Sequence, residues 1–117
     1  MDLAKAISAH QDYKARLGLW VSTGRGAAPD PETCGRDDVC ELGRWILGEG
    51  EARFGQHLDF RGLKAVHSQF HRTAAAVARL VQEGDRPAAQ RMLEERVYAL
   101  SGEVVLAINR VKRLAGT

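Results

Sequence analysis

The sequence predicts an all-α protein, an antiparallel four-helix bundle with a long fourth helix. Apolar residues recur at steps of three and four along most of the chain, and no stretch shows the alternation typical of a strand. Turn-forming residues are concentrated in a few stretches, and the short connections after the second and third helices favour antiparallel neighbours. With 117 residues, 44% of them hydrophobic, residues 1–117 are expected to form a single domain with one modest core.

The first helix is expected over residues 2–23. Its inward stripe has apolar residues, one histidine and one tyrosine at helical spacing: Leu3, Ala6, Ile7, His10, Tyr13, Leu17 and Trp20. The stretch STGRGAAPDPETCGRDD, residues 22–38, then collects turn formers that include Pro29 and Pro31. The main loop of the protein is therefore expected there.

The second helix is expected over residues 38–54. Asp37 or Asp38 can cap it by accepting hydrogen bonds from the free backbone N–H groups of the first turn. The apolar residues that follow form a short stripe: Val39, Leu42, Trp45, Ile46 and Leu47.

The third and fourth helices are expected over residues 60–83 and 86–115. Gly84 ends the third helix, and Asp85 followed by Pro87 begins the fourth, because proline in the first turn loses no needed N–H group. The inward stripe of the third helix is Leu63, Val66, His67, Phe70, His71, Ala74, Val77, Ala78 and Val81. The stripe of the fourth is Leu93, Val97, Leu100, Val104, Ile108 and Val111.

Charge and hydropathy exclude several classes of partner. The net charge of +2 gives no strongly basic face, so nucleic acid is not an expected partner. The longest apolar run, YALSGEVVLAI, is far shorter than the roughly 20 residues that a membrane span needs. The N-terminal stretch has no basic region followed by an apolar block, so no signal peptide is predicted and we expect a cytoplasmic protein. Cysteines in that compartment are kept reduced, which favours a chemical role for Cys34 or Cys40 over a structural disulfide.

Two histidines, His67 and His71, lie on the inward stripe of the third helix. Four residues advance a helix by about 400°, so the two side chains point within about 40° of each other. Buried imidazoles need polar partners, and either a shared metal ion or a hydrogen-bonded histidine pair would supply them. The zinc-protease pattern is excluded because Ser68, not Glu, follows the first histidine.

Two further metal ligands are required for a tetrahedral ion, and the inward stripes offer His10 and Cys40. Taken alone, His10 could be an ordinary core histidine and Cys40 a small buried apolar residue. Together with the histidine pair they would supply ligands from three helices, and Gly43 would leave room for close helix approach.

The chemistry of this set favours zinc over other metals. Three imidazoles and one thiolate suit zinc, whereas a di-iron bundle needs inward Glu-x-x-His elements that the stripes lack. His57 falls between helices and is expected to be an exposed loop residue.

Four segments together resemble the bacterial chemoreceptor zinc-binding domain family over nearly the whole chain. They are HQDYKARL beginning at residue 10, CELGRWI beginning at residue 40, HSQFH at 67–71, and EGDRP at 83–87. The resemblance implies that the zinc ligands are His10, Cys40, His67 and His71 and no other residue. Tyr13 stands where the family is expected to have Trp, and Ile46 stands where an aromatic residue or Leu is also common. These two departures concern packing and leave the implied ligand set intact.

The resemblance also implies a function. Such domains are attached to chemoreceptors or diguanylate cyclases and bias chemotaxis or cyclic-di-GMP output according to zinc, with oxidation of the ligating cysteine by hypochlorous acid as a further signal. The output domain could be regulated in cis or in trans. Four protein ligands leave a zinc ion no open position, so an enzyme is not expected. The alternative is a purely structural zinc-stabilised bundle that serves as an interaction or dimerisation module.

Two further expectations concern association and oxidation. A homodimer is expected because the stripe of the fourth helix approaches the 3.5-residue repeat by which helices pair, and because the implied outputs work as dimers. Cys34 could form a disulfide with Cys40 on oxidation, but it is more simply expected to be an ordinary exposed loop residue.

Overall fold

The structure is a computed structural model that describes residues 2–24, 30–38 and 40–116. Helix α1 is Leu3–Thr23, α2 is Pro31–Gly35, and α4 is Leu58–Gln82. Helix α3 is built from three consecutive segments, of which the middle one is a π-helical turn: Glu41–Trp45, Ile46–Gly50 and Glu51–Phe54. Helix α5 is built in the same way from Arg86–Met92, Leu93–Val97 and Tyr98–Ala115. The described residues include no strand, so the all-α prediction is confirmed.

Local capping explains where α1 and α5 begin and where α4 ends. The Asp2 carboxylate accepts hydrogen bonds from the backbone N–H groups of Ala4 and Lys5, at 2.9 and 3.2 Å. The Asp85 carboxylate accepts from the N–H of Ala88 at 3.1 Å, and Gly84 ends α4 with φ of +85°. These signals are carried by residues next to one another in sequence, so they can be read without the fold.

Helix α2 corrects the prediction that residues 22–38 form only a loop. Pro31 occupies the first helical position, where proline is favoured, and Thr33 Oγ1 donates to Asp30 Oδ2 at 2.9 Å across the first turn. A Cβ added at Gly35 would lie 3.2 Å from the Cβ of Ala75, so α2 packs closely on α4. Cys34 is consequently 5% exposed, and its expected place in an exposed loop is wrong. Residues 25–29 lie outside the described residues.

The start of α3 also differs from the prediction. Its N-cap is Cys40 rather than Asp37 or Asp38, and the Asp38 carboxylate instead pairs with the Arg36 guanidinium at 3.0 Å. Leu47 is 47% exposed because Trp45 and Ile46 already occupy the inward face, and each further residue turns a helix by about 100°. Val39 lies outside the described residues.

The apolar core is centred on α4, which packs along α5 on one side and against α2 on another. The fully buried apolar residues of α4 are Phe60, Leu63, Phe70, Ala74, Val77 and Ala78, and those of α5 are Ala89, Leu93, Val97, Val104, Ile108 and Val111. None of the described helices is long and apolar enough to cross a membrane. Within the described part of the chain, the buried polar residues are His10, His67, His71 and Ser101.

Candidate metal centre

Cys40 is positioned by the first turn of α3. Its backbone is extended, as at most N-cap positions, and its Sγ accepts a hydrogen bond from the Gly43 N–H at 3.2 Å. A Cβ at position 43 would collide with the carbonyl oxygen of Asp37 and would lie 3.3 Å from Cε1 of His67. Gly43 is therefore the residue that allows both the preceding loop and the His67 ring to lie against this turn.

His67 and His71 project from successive turns of α4 toward Cys40, as their four-residue spacing predicts. The two Nε2 atoms are 3.1 Å apart, and Cys40 Sγ lies 3.3 Å from His67 Nε2 and 3.8 Å from His71 Nε2. A tetrahedral zinc ion with bonds of about 2.3 Å to sulfur and about 2.0–2.1 Å to nitrogen separates its ligands by about 3.3–3.6 Å. The observed distances differ from this range by no more than about 0.2 Å, so the three donor atoms form a triangle close in size to one face of a zinc tetrahedron.

A backbone carbonyl of α2 fixes which nitrogen of His71 can bind a metal. His71 Nδ1 lies 2.9 Å from the carbonyl oxygen of Cys34, and a carbonyl oxygen can only accept a hydrogen bond. Nδ1 therefore carries the proton, and Nε2 of the neutral ring keeps its lone pair for the cluster. This is the usual arrangement for a metal-binding histidine, whose second nitrogen is held by the protein.

Burial keeps the histidine pair neutral. Burial, together with the neighbouring His71, lowers the pKa of His67 to about 3, and burial also lowers the pKa of His71. Burial raises the pKa of the Cys40 thiol, against the opposing effect of the Gly43 N–H. At neutral pH both imidazoles can bind a metal without losing a proton, whereas the thiol must release one.

His10 reaches the same cavity but not the same cluster. A cavity of about 170 Å³ between α1, the start of α3, and α4 is lined by His10, Tyr13, Cys40, His67 and His71 among others. The ligand atoms of Cys40, His67 and His71 all lie within 4.8 Å of one another, and His10 does not belong to this group. The ring of His10 lies 4.4 Å from that of Phe70, and its Nε2 is hydrogen bonded to Ser101 Oγ at 2.9 Å. Burial lowers the pKa of His10 to about 4, so it is also neutral.

One histidine considered from the sequence lies outside the site, and two groups of the site were not predicted. His57 is exposed at the N-cap of α4 and does not line the cavity, as predicted. The sequence did not predict two groups that bond to the buried histidines, the Cys34 carbonyl and the Ser101 hydroxyl. Ser101 lies four residues after Val97 and three before Val104, so it interrupts the inward stripe of α5 and could have been recognised as a buried polar residue.

The donor set fits zinc. A thiol and two neutral imidazoles converge on one point, and borderline-soft nitrogen and sulfur ligands are those that zinc prefers. A family model described as the chemoreceptor zinc-binding domain matches residues 10–78, more than half of the chain. The match begins at His10 and includes all three residues of the cluster. Searches of curated proteins and of solved structures give no match.

Proposed function

The chain belongs to the family of chemoreceptor zinc-binding domains, and we propose on this basis that it is a sensory domain that biases bacterial signalling in response to zinc. Zinc is its cofactor. The proposed output is a chemoreceptor or a diguanylate cyclase, regulated in cis or in trans and acting in the cytoplasm. The observation that carries the proposal is the triangle of Cys40 Sγ, His67 Nε2 and His71 Nε2.

The proposed ligand set is His10, Cys40, His67 and His71. Three of these residues supply the converging atoms, and His10 is a buried neutral imidazole that lines the same cavity. A bound zinc ion would cross-link α1, α3 and α4. The family is not a known catalytic one, and four protein ligands would leave no position for a substrate, so we propose no enzymatic activity.

A sensor requires two states that share most of the fold. The apolar core between α4 and α5 consists of residues that are not metal ligands, and several of them have no exposed surface, so it supplies stability that does not depend on metal. We therefore expect metal removal to loosen the start of α3 while the core remains packed. In the alternative, a structural zinc bundle that serves as an interaction or dimerisation module, metal removal would unfold the whole domain.

Cys40 is the proposed point of redox sensitivity. It would be the only anionic ligand, and a thiolate is the form of cysteine that oxidants attack. Hypochlorous acid would transfer its hydroxyl group to the Cys40 thiolate, which would give a sulfenic acid and release chloride. Loss of this ligand would loosen the start of α3 from α4, because Cys40 at the start of α3 supplies one of the three converging ligand atoms.

We further propose an antiparallel four-helix bundle that associates as a homodimer. A groove lined by apolar, polar and charged residues runs between α4 and α5, and two of its apolar residues are largely exposed, Leu58 at 80% and Leu106 at 57%. Burial of such side chains against a second copy would be favourable. Light scattering at tens of micromolar protein tests the dimer, and a monomeric mass would contradict it.

The zinc site is tested by metal analysis and titration of the purified domain. We expect one zinc per chain, and a large loss of affinity in His67→Ala and in Cys40→Ser. His57→Ala is the matched control because this histidine is exposed and outside the cavity. Absence of transition metal, or wild-type affinity in His67→Ala, would refute the site.

The sensor mechanism is tested by hydrogen exchange on zinc-loaded, chelated and hypochlorite-treated protein. Faster exchange in residues 36–48 after chelation and after oxidation, with the core of α4 still protected, is the expected result. Equal exchange in all three forms would rule out the mechanism, and global loss of protection after chelation would establish the structural alternative.

A further inference from the structure

Ser101 is a buried polar residue that the zinc-binding site does not by itself explain. It lies on α5, its side chain is 1% exposed, and its Oγ is hydrogen bonded to His10 Nε2 at 2.9 Å. The bond joins residues 91 positions apart and connects α1 to α5. A buried hydroxyl without a partner is costly, so this pairing is a specific feature of the core and not a chance contact.

His10 lies outside the cluster of the other three ligands and is hydrogen bonded to Ser101. The converging atoms belong to Cys40, His67 and His71, and both cluster histidines contribute Nε2. In His10 the Nε2 atom is the one bonded to Ser101. Whether Nε2 donates a proton to Ser101 or accepts one from it, this nitrogen cannot keep the hydrogen bond and bind a metal ion at once, so metal binding through this atom requires the bond to break.

We propose that Ser101 is a positioning residue that holds His10 away from the metal-free cluster, and that its release when His10 binds metal couples the site to α5. The inference rests on the proposed function, because it requires His10 to be the fourth ligand and to bind through Nε2, as the two cluster histidines do. It places on α5, outside the matched residues 10–78, a residue that responds to metal binding.

The release leaves neither group without a partner. A serine within a helix can turn its hydroxyl to the carbonyl group four residues earlier, which here belongs to Val97. His10 exchanges its bond to Ser101 for a bond to the metal. The bond to Val97 recovers part of the energy of the bond to His10, so the Ser101 bond opposes metal binding by at most its own net strength, which corresponds to up to about a fivefold change in affinity.

A double-mutant cycle tests this inference on the whole chain. Zinc affinity is measured by competition with a chelator for wild type, Ser101→Ala, His10→Ala and the double variant. Ser101→Ala should bind zinc more tightly than wild type, by up to about fivefold, because His10 is no longer held back. His10→Ala should bind more weakly, and the double variant should equal His10→Ala, since Ser101 acts only through His10.

The matched control is Ser22→Ala. Ser22 also joins α1 to α5, through a 3.2 Å hydrogen bond to Gln90 Oε1, but it is exposed and does not line the cavity. Loss of the Ser22 hydroxyl and its hydrogen bond should leave zinc affinity unchanged. A gain in the double variant over His10→Ala would show that Ser101 acts by another route and would overturn the inference. Unchanged or weaker binding by Ser101→Ala would also overturn it, while the zinc site itself would stand.

A result in which His10→Ala binds zinc as tightly as wild type would have a different meaning. It would remove His10 from the ligand set, and with it both the four-ligand proposal and the role of Ser101. The His67→Ala measurement would still decide whether the metal site exists.

Discussion

At the scale of single residues, the metal centre depends on a glycine without a side chain as well as on its ligands. Gly43 has no side chain, and the volume that a Cβ would occupy is taken by the Asp37 carbonyl and approached by the His67 ring. The same glycine donates its N–H to Cys40 Sγ. One position thus sets both the approach of α4 to α3 and the environment of the thiol.

We predict that Gly43→Ala weakens zinc binding by about tenfold or more, because the added methyl group displaces a backbone segment and a ligand ring together. Isothermal titration of the folded variant measures the effect. Gly48→Ala, on the same helix, is the control because its Cβ would meet nothing within 4 Å. Removal of that glycine should leave zinc affinity intact and stabilise the helix by up to about 1 kcal/mol. Equal zinc affinity in the two variants would contradict the prediction.

The buried histidines predict that the metal-free domain is less stable in acid. Burial lowers the pKa of His10 to about 4 and of His67 to about 3, whereas an unfolded histidine has a pKa of about 6.5. Below pH 6.5 the unfolded chain therefore binds protons that the folded chain does not, and the free energy of unfolding falls as the pH decreases toward 4. Each of these two histidines contributes a loss of roughly 2 kcal/mol between pH 7.5 and pH 5.

Urea unfolding in the presence of chelator at these two pH values measures this loss. His67→Ala should show a smaller difference between the two pH values, and His57→Ala, at an exposed position, should show the wild-type difference. A free energy of unfolding that is the same at both pH values would be inconsistent with neutral buried imidazoles.

At the scale of helices, a short helix and the helix ends determine how the long helices pack against each other. Helix α2 has only five residues, yet it packs closely on α4 and directs the Cys34 carbonyl to His71. The first residue of α5 has a similar role for α1. Arg86 Nη1 donates to the carbonyl oxygens of Trp20 and Val21, at 3.2 and 2.8 Å, where α1 ends.

We predict that Arg86→Ala lowers the free energy of unfolding by about 1 kcal/mol, because the last carbonyl groups of α1 lose a charged donor that also complements the helix dipole. Chemical denaturation measures this change. Arg91→Ala removes an exposed arginine from the same helix and should be neutral. Zinc affinity should stay unchanged, since Val21 lies eleven residues along α1 from His10, about 16 Å. An Arg86→Ala variant as stable as Arg91→Ala would show that the cap contributes nothing.

At the scale of the whole molecule, the cluster joins parts of the chain that are distant in sequence. Cys40 is 27 residues from His67 and 31 from His71, so a bound metal closes a long loop between α3 and α4. The remaining stability comes from the apolar core along α4 and α5. Metal binding should therefore add to a fold that already exists.

We predict that zinc raises the melting temperature of the domain by roughly 10 °C or more at a free concentration of 100 times its Kd, since ligand binding then adds about 2.7 kcal/mol. Thermal melts followed by circular dichroism test this, with magnesium as the control ion. The chelated domain should keep most of its helical signal at 25 °C, and His67→Ala should show no zinc-dependent shift. A chelated chain without helical signal at 25 °C would contradict the prediction.

The sequence by itself determined the helical class, the limits of α1, α4 and α5 to within two residues, and the common face of His67 and His71. These properties follow from the helical period and from caps formed by neighbouring residues, such as Asp2 and Asp85. The family resemblance also came from short segments, and the match over residues 10–78 confirms it.

Only the tertiary structure decided how the polar groups of the core are partnered. The Cys34 carbonyl meets His71 across 37 residues, and Ser101 meets His10 across 91. The short helix α2 belongs with these contacts, because five residues cannot hold a helix without packing against a neighbour. A local pattern shows which face of a helix points inward, but the partner of a buried nitrogen depends on which distant group the packed helices bring within about 3 Å of it.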